Sequence, residues 1–316
     1  MRGVAGDENR LRESEVRFVE AGGLRLRALL DGPVSAERTP VVLLHGFTGN
    51  ASTMACASAP LAEDRRVVRL ELVGHGESDA PKDVAPYAME ACTDQVAEAV
   101  EALELERPAL VGYSMGGRAA LATAIRHPEA FSSLVLVGAT AGIEDPVLRQ
   151  QRIRDDEALA DRIERDGLES FVEKWMALPI FASQRRLGEE ALSAARAQRL
   201  RNRPHGLANS LRGMGAGAQP PLFDALDRFP GPVLLVVGEE DEKFRGIAAG
   251  LEQGLLDART EILGDAGHAA HLEAPETFAR VLRRFLASRD PGWRAQSRSR
   301  AGGSSVATDG QEGGAE

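Results

Sequence analysis

The feature that most constrains this chain is a regular alternation of short apolar runs with longer amphipathic segments. Runs rich in valine and leucine lie at 41–44, 67–72, 109–112, 133–138, 233–237 and 260–263. Segments with helical periodicity lie at 90–103, 115–127, 244–256 and 275–287. Apolar runs without polar alternation are typical of parallel strands that are covered on both faces. The alternation therefore predicts an α/β fold with an open, mostly parallel sheet and right-handed crossovers.

Two segments accompany the predicted sheet: a hairpin at its edge and one helical insertion. Residues 15–32 alternate apolar and polar about a glycine pair, which indicates a hairpin at the sheet edge. The stretch 142–225 has helical patterns and no strong strand signal, so we predict a helical cap inserted over the carboxyl ends of the strands. The core then comprises 14–141 and 226–288. We expect a flexible N-terminus at 1–13 and a disordered polar tail at 289–316, because neither has enough apolar surface to bury.

Composition narrows the classes of partner. The 316 residues carry a formal net charge of -10, which disfavours nucleic acid because phosphates attract basic surfaces. The charged N-terminus lacks the apolar core of a signal peptide, and no later apolar run approaches the ~20 residues of a membrane span. We therefore expect a cytoplasmic protein without membrane insertion.

No metal-ligand spacing or G-x-G-x-x-G pattern occurs, so no metal and no cofactor are predicted. Nothing in the pattern predicts an oligomeric state.

Ser114 lies where the run at 109–112 meets the next helical segment, within the letters GYSMG. The G-x-S-x-G spacing is typical of a nucleophile elbow, in which a strand turns sharply into a helix and exposes the serine hydroxyl. Backbone N–H groups of Met115 and of Phe47, which follows the run VVLL, are the predicted donors of an oxyanion hole.

An activated serine needs a histidine and an acid, which follow it along the chain in the order serine, acid, histidine in folds of this kind. His268 lies between a strand-like run and a helix, at the correct sheet edge, and is preferred as the base over His271. Asp241 follows the strand at 233–237 and is preferred as the orienting acid. Its neighbours Glu239 and Glu240 remain alternatives on position alone.

The segments HGF, GHGES, GYSMGG, the late acid and GH occur in this order at predicted strand ends. In this arrangement the chain resembles the α/β-hydrolase superfamily over residues 41–287. Three further patterns, GYSxGGR, W-x-x-x-P-x-F-A-S and GxGAQPxL, are similar to the 2-succinyl-6-hydroxy-2,4-cyclohexadiene-1-carboxylate synthases of menaquinone biosynthesis. That resemblance covers about residues 40–287.

The resemblance implies a lyase that removes pyruvate from 2-succinyl-5-enolpyruvyl-6-hydroxy-3-cyclohexene-1-carboxylate, a small polyanionic substrate. Ser114, polarised by His268 and supported by Asp241, would act as the base. Motif positions imply that the following residues bind the substrate: Tyr113, Arg118, Arg152, Trp175, Phe181 and Arg199.

Arg118 also stands out from its position alone, because a guanidinium one helical turn beyond the serine is costly to bury unless it meets an anion. The alternative is that Arg118 pairs with a structural carboxylate. Arg154 and Arg201 are close alternatives to Arg152 and Arg199.

A triad alone does not define a reaction. A serine carboxylesterase or carbon-carbon bond hydrolase of the same fold would use the same residues, but through an acyl intermediate on Ser114. A non-catalytic relative would only bind a small molecule or a protein. The predicted elimination instead needs a base for a carbon-bound proton and donors for charge on a neighbouring carbonyl oxygen.

Overall fold

The computed structural model describes residues 14–290; the predicted flexible N-terminus and all but the first two residues of the predicted tail lie outside the described residues. The strands are β1 Glu15–Ala21, β2 Leu24–Asp31, β3 Val41–Leu44, β4 Val67–Leu70, β5 Ala109–Tyr113, β6 Ser133–Val137, β7 Val233–Gly238 and β8 Ala258–Leu263. The α-helices are α1 Ala55–Ser58, α2 Met89–Ala102, α3 Met115–Arg126, α4 Pro146–Met176, α5 Gly188–Arg199, α6 Pro204–Met214, α7 Glu242–Gly254, α8 Ala270–Glu273 and α9 Pro275–Ala287. Short 3-10 helices lie at Ala51–Met54, Ala85–Tyr87, Pro128–Ala130, Pro179–Leu187 and Phe223–Arg228.

The eight strands form one sheet in the order β1-β2-β4-β3-β5-β6-β7-β8. The pairs β1–β2 and β2–β4 are antiparallel, and every pair from β4 to β8 is parallel. All residues of β3, β6 and β7 are buried, which explains why their sequences show no polar alternation. The predicted α/β fold with a mostly parallel sheet is confirmed.

Apolar side chains fill both faces of the sheet. Successive residues of a strand point to opposite faces, so Val42 belongs to the cluster that includes Val96 of α2, and Val41 belongs to the cluster that includes Phe278 and Phe285 of α9. With both faces covered, the carboxyl edge of the sheet is where loops can hold exposed polar groups. The loops after β3, β5, β7 and β8 meet at that edge.

The segment predicted as the cap, 142–225, contains α4, the 3-10 segment Pro179–Leu187, α5 and α6. Helix α4 is interrupted at Gly167, whose φ of 80° and ψ of 171° are not helical. The long helix α4 and the shorter α6 pack together through a small apolar cluster that includes Ile163, Phe171 and Leu207. Phe47, from the loop after β3, also packs against this cluster, so the cap is anchored directly above the carboxyl edge of the sheet.

The folded chain continues beyond the predicted end of the core at 288. Asp290 accepts hydrogen bonds from both terminal nitrogens of Arg65, each at 3.1 Å, and only 1% of the Arg65 side chain is exposed. Asp290, the second residue of the predicted tail, is therefore bound to the folded part of the chain. An aspartate beside a Gly- and Ser-rich stretch resembles solvated tail in the sequence, because its partner lies 225 residues earlier.

Within residues 14–290, no helix is both long enough and apolar enough to cross a membrane. The same part of the chain has no group of three or more His, Cys, Asp or Glu side chains placed to hold a metal ion.

Candidate active site

Ser114 occupies a tight turn between β5 and α3. Its φ of 51° and ψ of -109° lie in a region that residues other than glycine seldom adopt, and its amide donates to the Val137 carbonyl at 2.8 Å. A Cβ atom at Gly112 would overlap the Gly116 carbonyl, and one at Gly116 would overlap the His45 carbonyl. The glycines of the G-x-S-x-G pattern are thus required by close backbone packing, and the turn presents the serine to the cavity described below.

Three side chains from three different loops form a continuous hydrogen-bonded chain. Ser114 Oγ lies 3.1 Å from His268 Nε2, and His268 Nδ1 lies 2.8 Å from Asp241 Oδ2. An ionised carboxylate only accepts, so His268 Nδ1–H donates to Asp241 and Nε2 is left to accept from the serine hydroxyl. His268 and Asp241 are 4% and 9% exposed. The structure therefore brings together the predicted serine, base and orienting acid in an arrangement that can polarise the serine.

Asp241 is fixed by its position at the start of α7. Its Oδ1 accepts from the Phe244 amide at 3.3 Å, which leaves Oδ2 directed at His268. The neighbouring Glu239 and Glu240 are exposed to solvent. Of the three adjacent acids, only the one preferred from the sequence contacts the histidine.

The other histidines near the site have different environments. His45 Nδ1 donates to the Gly46 carbonyl at 2.9 Å, and its Nε2 accepts from the Leu72 amide at 3.1 Å. Burial lowers the pKa of His45 to about 4, so its ring is a neutral structural group. The His271 ring lies 4.4 Å from the Tyr113 ring, and neither of its nitrogens bonds to a described residue. The geometry gives no support to His271 as the base.

Two backbone amides are available beside the serine. Phe47 and Met115 line the same cavity as Ser114 and His268. Met115 is the first residue of α3, where the helix leaves N–H groups unpaired. Among the described residues, neither the Phe47 nor the Met115 amide donates to another protein group. Both can therefore donate to a substrate oxygen that gains negative charge.

A cavity of about 240 Å³ lies between the core and the cap, with Ser114 in its wall. Aromatic side chains form much of its apolar lining. The Trp175 ring lies 5.2 Å from the Phe47 ring and 5.7 Å from the Phe181 ring. The two aromatic residues predicted from the cap motif, Trp175 and Phe181, both face this cavity.

Arg118 is a buried cation in the same cavity wall, with 8% of the residue exposed. Its Nη1 donates to Gln219 Oε1 at 2.8 Å, and among residues 14–290 no carboxylate lies within ion-pair distance of it. The nearby Asp156 pairs with Arg152 at 2.8 Å instead. Burial, reinforced by Arg152, lowers the pKa of Arg118 to about 10, which still leaves it charged at neutral pH. A buried guanidinium of this kind favours an anionic ligand.

Arg152 extends from α4 of the cap into the same cavity. The alternatives from the sequence, Arg154 for Arg152 and Arg201 for Arg199, lie elsewhere. Arg154 is exposed and donates to Gln151 at 2.6 Å on its own helix, and Arg201 is exposed between α5 and α6. The structure thus places Arg152, and not Arg154, beside Arg118.

Two predicted substrate-binding residues lie outside the cavity wall. Tyr113, at the end of β5, packs with the apolar cluster on the α9 face of the sheet. Arg199 Nη1 donates to the Ala195 carbonyl at 3.0 Å within α5. Burial lowers the pKa of Arg199, while Tyr113 nearby acts in the opposite direction. The motif resemblance identified these positions, but neither residue is among those that line the cavity.

Two polar residues of the site were not predicted from the sequence. Gln219 lies in the GxGAQPxL pattern and is fully buried against Arg118. Lys243 lines the cavity from α7, and among residues 14–290 it forms no ion pair. The only signal for Lys243 was a single lysine in the acidic stretch EEDEKF, next to the predicted acid.

Comparisons with known proteins identify the family. The family model for the alpha/beta hydrolase fold matches residues 39–275. A 2-succinyl-6-hydroxy-2,4-cyclohexadiene-1-carboxylate synthase from Enterobacter sp. (strain 638) is 32% identical over 246 residues, covering 78% of this chain and 91% of the relative. This chain belongs to that synthase family of the α/β-hydrolase fold.

Two further matches support the assignment. A relative from Bacillus subtilis (strain 168), for which the same synthase name is provisional, is 41% identical over 273 residues, or 86% of this chain and 98% of the relative. The solved structure of MenH from S. aureus is 30% identical, covers 83% of this chain and 98% of its own, and superposes with a TM-score of 0.79. The family predicted from the motifs is confirmed.

Proposed function

We propose that this chain is a lyase of menaquinone biosynthesis that eliminates pyruvate from 2-succinyl-5-enolpyruvyl-6-hydroxy-3-cyclohexene-1-carboxylate to give 2-succinyl-6-hydroxy-2,4-cyclohexadiene-1-carboxylate. The relatives named above supply the family, and one observation carries the substrate class. Arg118 is buried in the wall that also holds Ser114, and no described carboxylate lies within ion-pair distance of it. A site for neutral esters has no use for such a cation, whereas a substrate with several carboxylates does.

The bond changes follow from the two chemical names. The substrate has its ring double bond at C3 and the product has double bonds at C2 and C4, so a proton leaves C2 and the enolpyruvyl oxygen leaves C5. Proton removal at C2 places negative charge on the adjacent succinyl carbonyl oxygen. Electrons then shift through the ring, the C5–O bond breaks, and pyruvate departs as its enolate, which takes up a proton.

The hydrogen-bonded chain suits the first step. His268 Nε2 takes the hydroxyl proton as Ser114 Oγ removes the proton from C2, and Asp241 stabilises the resulting imidazolium. The amides of Phe47 and Met115 donate to the succinyl oxygen as its charge develops. The proton on His268 is then available to the departing enolate.

Charge matching supports the assignment of the cavity. The substrate carries three carboxylates, on the ring, the succinyl group and the enolpyruvyl group. Three basic side chains line the cavity: Arg118, Arg152 and Lys243. We assign one carboxylate to each. Lys243 thereby takes the place that the motif resemblance gave to Arg199.

The deciding assay is pyruvate release by the purified protein from the cyclohexene substrate, compared with hydrolysis of a short p-nitrophenyl ester. We expect pyruvate release to be faster by orders of magnitude in kcat/KM. Ester hydrolysis without pyruvate release would contradict the proposal and favour a carboxylesterase.

A second experiment separates elimination from acyl transfer. If Ser114 acts as a base, its oxygen never bonds to substrate carbon, and mass spectrometry of enzyme quenched during turnover shows only unmodified protein. Deuterium at C2 should slow the reaction if proton removal limits the rate. A substrate-derived adduct on Ser114 would instead identify a hydrolase that works through an acyl-enzyme.

A further inference from the structure

Glu273, at the end of α8, holds the loop that carries His268. Its Oε2 accepts from the Gly267 amide at 2.8 Å, and its Oε1 accepts from the Ala269 amide at 3.1 Å. These are the two residues on either side of the histidine. One carboxylate therefore bridges the backbone immediately before and after His268.

The bridge is shielded from water. Only 2% of the Glu273 side chain is exposed, so its hydrogen bonds to the two amides are not weakened by competing solvent. Hydrogen bonds to an ionised acceptor are also shorter and stronger than those between neutral groups. A buried carboxylate whose nearest cation lies 3.8 Å away, on a half-exposed arginine, would be costly unless these two amides satisfied it.

We propose that Glu273 is a positioning residue for His268: by fixing the amides on both sides, it holds the imidazole between Ser114 and Asp241. The two contacts of that ring, at 3.1 Å and 2.8 Å, both depend on where the loop places its Cα atom. A misplacement of about 1 Å in a catalytic group can lower a rate roughly a hundredfold. The inference rests on the proposed function only in that His268 serves as the base.

The cap contributes to the same bridge. Arg186, in the 3-10 segment Pro179–Leu187, donates to the Asp265 carbonyl at 3.0 Å and lies 3.8 Å from Glu273 Oε2. Ser183 of the same segment covers Gly267, where a Cβ atom would overlap its hydroxyl. The cap thus shields the bridge from water and partly offsets the negative charge of Glu273. The loop that carries His268 is held by Glu273 on one side and covered by the cap on the other.

The test is Glu273→Gln, which preserves the shape of the side chain but has one oxygen acceptor instead of two. Glu276→Gln is the matched control, because Glu276 is an exposed acid three residues later, in the first turn of α9. Three quantities are measured for each variant: kcat and KM for pyruvate release, the rate at which a neutral fluorophosphonate labels Ser114, and the low-field proton resonance of the His268–Asp241 hydrogen bond. Fluorophosphonate labelling forms an oxygen–phosphorus bond at Ser114 and expels fluoride, and it requires an activated serine whatever the natural substrate is.

We expect Glu273→Gln to lower kcat and the labelling rate by about ten- to a hundredfold, with KM unchanged and the low-field resonance broadened or lost. Glu276→Gln should match the wild type in all three. A Glu273→Gln protein that labels at the wild-type rate and retains the resonance would overturn the inference. If that variant does not fold, Glu273→Asp, which keeps the charge but is too short to reach both amides, must show the same losses, and wild-type labelling by it would equally overturn the inference. Failure of the proposed function has a different appearance: wild-type protein would label normally and release no pyruvate.

Discussion

The core and the cap build their shares of the active site in different ways. The core places Ser114, His268 and Asp241 on three strand-end loops and joins them by hydrogen bonds, with His268 and Asp241 buried and Ser114 partly exposed to the cavity. The cap contributes Arg152, whose side chain is 43% exposed and pairs with Asp156 one turn along the same helix. The ion pairs that Arg212 of α6 forms with acids of α4 likewise involve largely exposed partners.

The buried hydrogen bonds of the core and the exposed ion pairs of the cap suit different roles, catalysis and substrate recognition. A buried hydrogen-bonded chain has one low-energy arrangement, because each broken contact leaves a polar group unsatisfied. Exposed ion pairs contribute little to stability and can be replaced at small cost. We infer that the core determines how the substrate reacts, and the cap helps to determine which substrate is bound. Arg118 stands between the two, since it belongs to a core helix but bonds to Gln219 in the cap.

The largest expected effect is in the core. Ser114→Ala and His268→Ala should each lower kcat by about 10²- to 10⁴-fold, the usual contribution of a general base. Thermal unfolding should be almost unchanged, because the backbone of the elbow survives both substitutions. Arg154→Ala, an exposed change in the cap, is the control and should retain wild-type activity. Near-normal pyruvate release by Ser114→Ala would remove the serine from the mechanism.

Arg118 tests the junction between core and cap. Arg118→Met retains most of the buried volume but leaves one substrate carboxylate without its partner, which costs about 1.5–3 kcal/mol, or roughly ten- to a hundredfold in kcat/KM. Arg126→Met is the matched control on the same helix, because Arg126 is exposed and pairs with Asp94. Labelling of Ser114 by a neutral fluorophosphonate should be unaffected in both variants. Slower labelling of Arg118→Met would mean that Arg118 supports the triad rather than the substrate.

The sequence was sufficient for the sheet and the triad and only partly sufficient for the residues that line the cavity. Apolar runs and the G-x-S-x-G spacing predict the strands and the elbow, because burial on both faces and close backbone packing leave few alternatives. The cap residues came from motif resemblance, which identifies positions but not side-chain directions. Arg199 of the cap and Tyr113 of the core are absent from the cavity wall, while Lys243 of the core lines it unpredicted. The Glu273 bridge gave no signal beyond one acid in HLEAP, since its partners are backbone amides.

Burial in the core also predicts its response to acid. Burial lowers the pKa of His45 to about 4 and that of His75 and His271 to about 3, from 6.5 when unfolded. Below pH 6.5 the unfolded chain therefore binds more protons than the folded chain. The contribution of these neutral rings to the free energy of unfolding is fully present above pH 6.5, and it is lost as the pH decreases toward 4 for His45 and toward 3 for His75 and His271. At pH 5 each ring costs about 2 kcal/mol of the free energy of unfolding.

His271→Phe isolates one of these rings. Neither His271 nitrogen has a hydrogen-bond partner among the described residues, so phenylalanine loses no bond and keeps the packing against Tyr113. Urea unfolding at pH 8 should give nearly wild-type stability. At pH 5 the variant should be more stable than the wild type by about 2 kcal/mol. If the stabilities of the variant and the wild type differ by the same amount at pH 5 as at pH 8, then His271 is not a neutral buried ring.

The smallest expected effect separates Lys243 from Arg199. Lys243 is a solvent-exposed cation at the cavity, so its attraction for a carboxylate is about 1 kcal/mol or less, and Lys243→Gln should raise KM by up to about fivefold with kcat unchanged. Because exposed charges are screened by salt, the increase should disappear at about 1 M ionic strength, where the effect of Arg118→Met persists. Arg245→Gln, two residues along the same helix and absent from the cavity wall, is the control for lost charge. Arg199→Gln should leave KM unchanged, since its guanidinium donates within α5. If Arg199→Gln raises KM more than Lys243→Gln does, the third carboxylate binds where the family motif places it, and the cap must reorient Arg199 when the substrate enters.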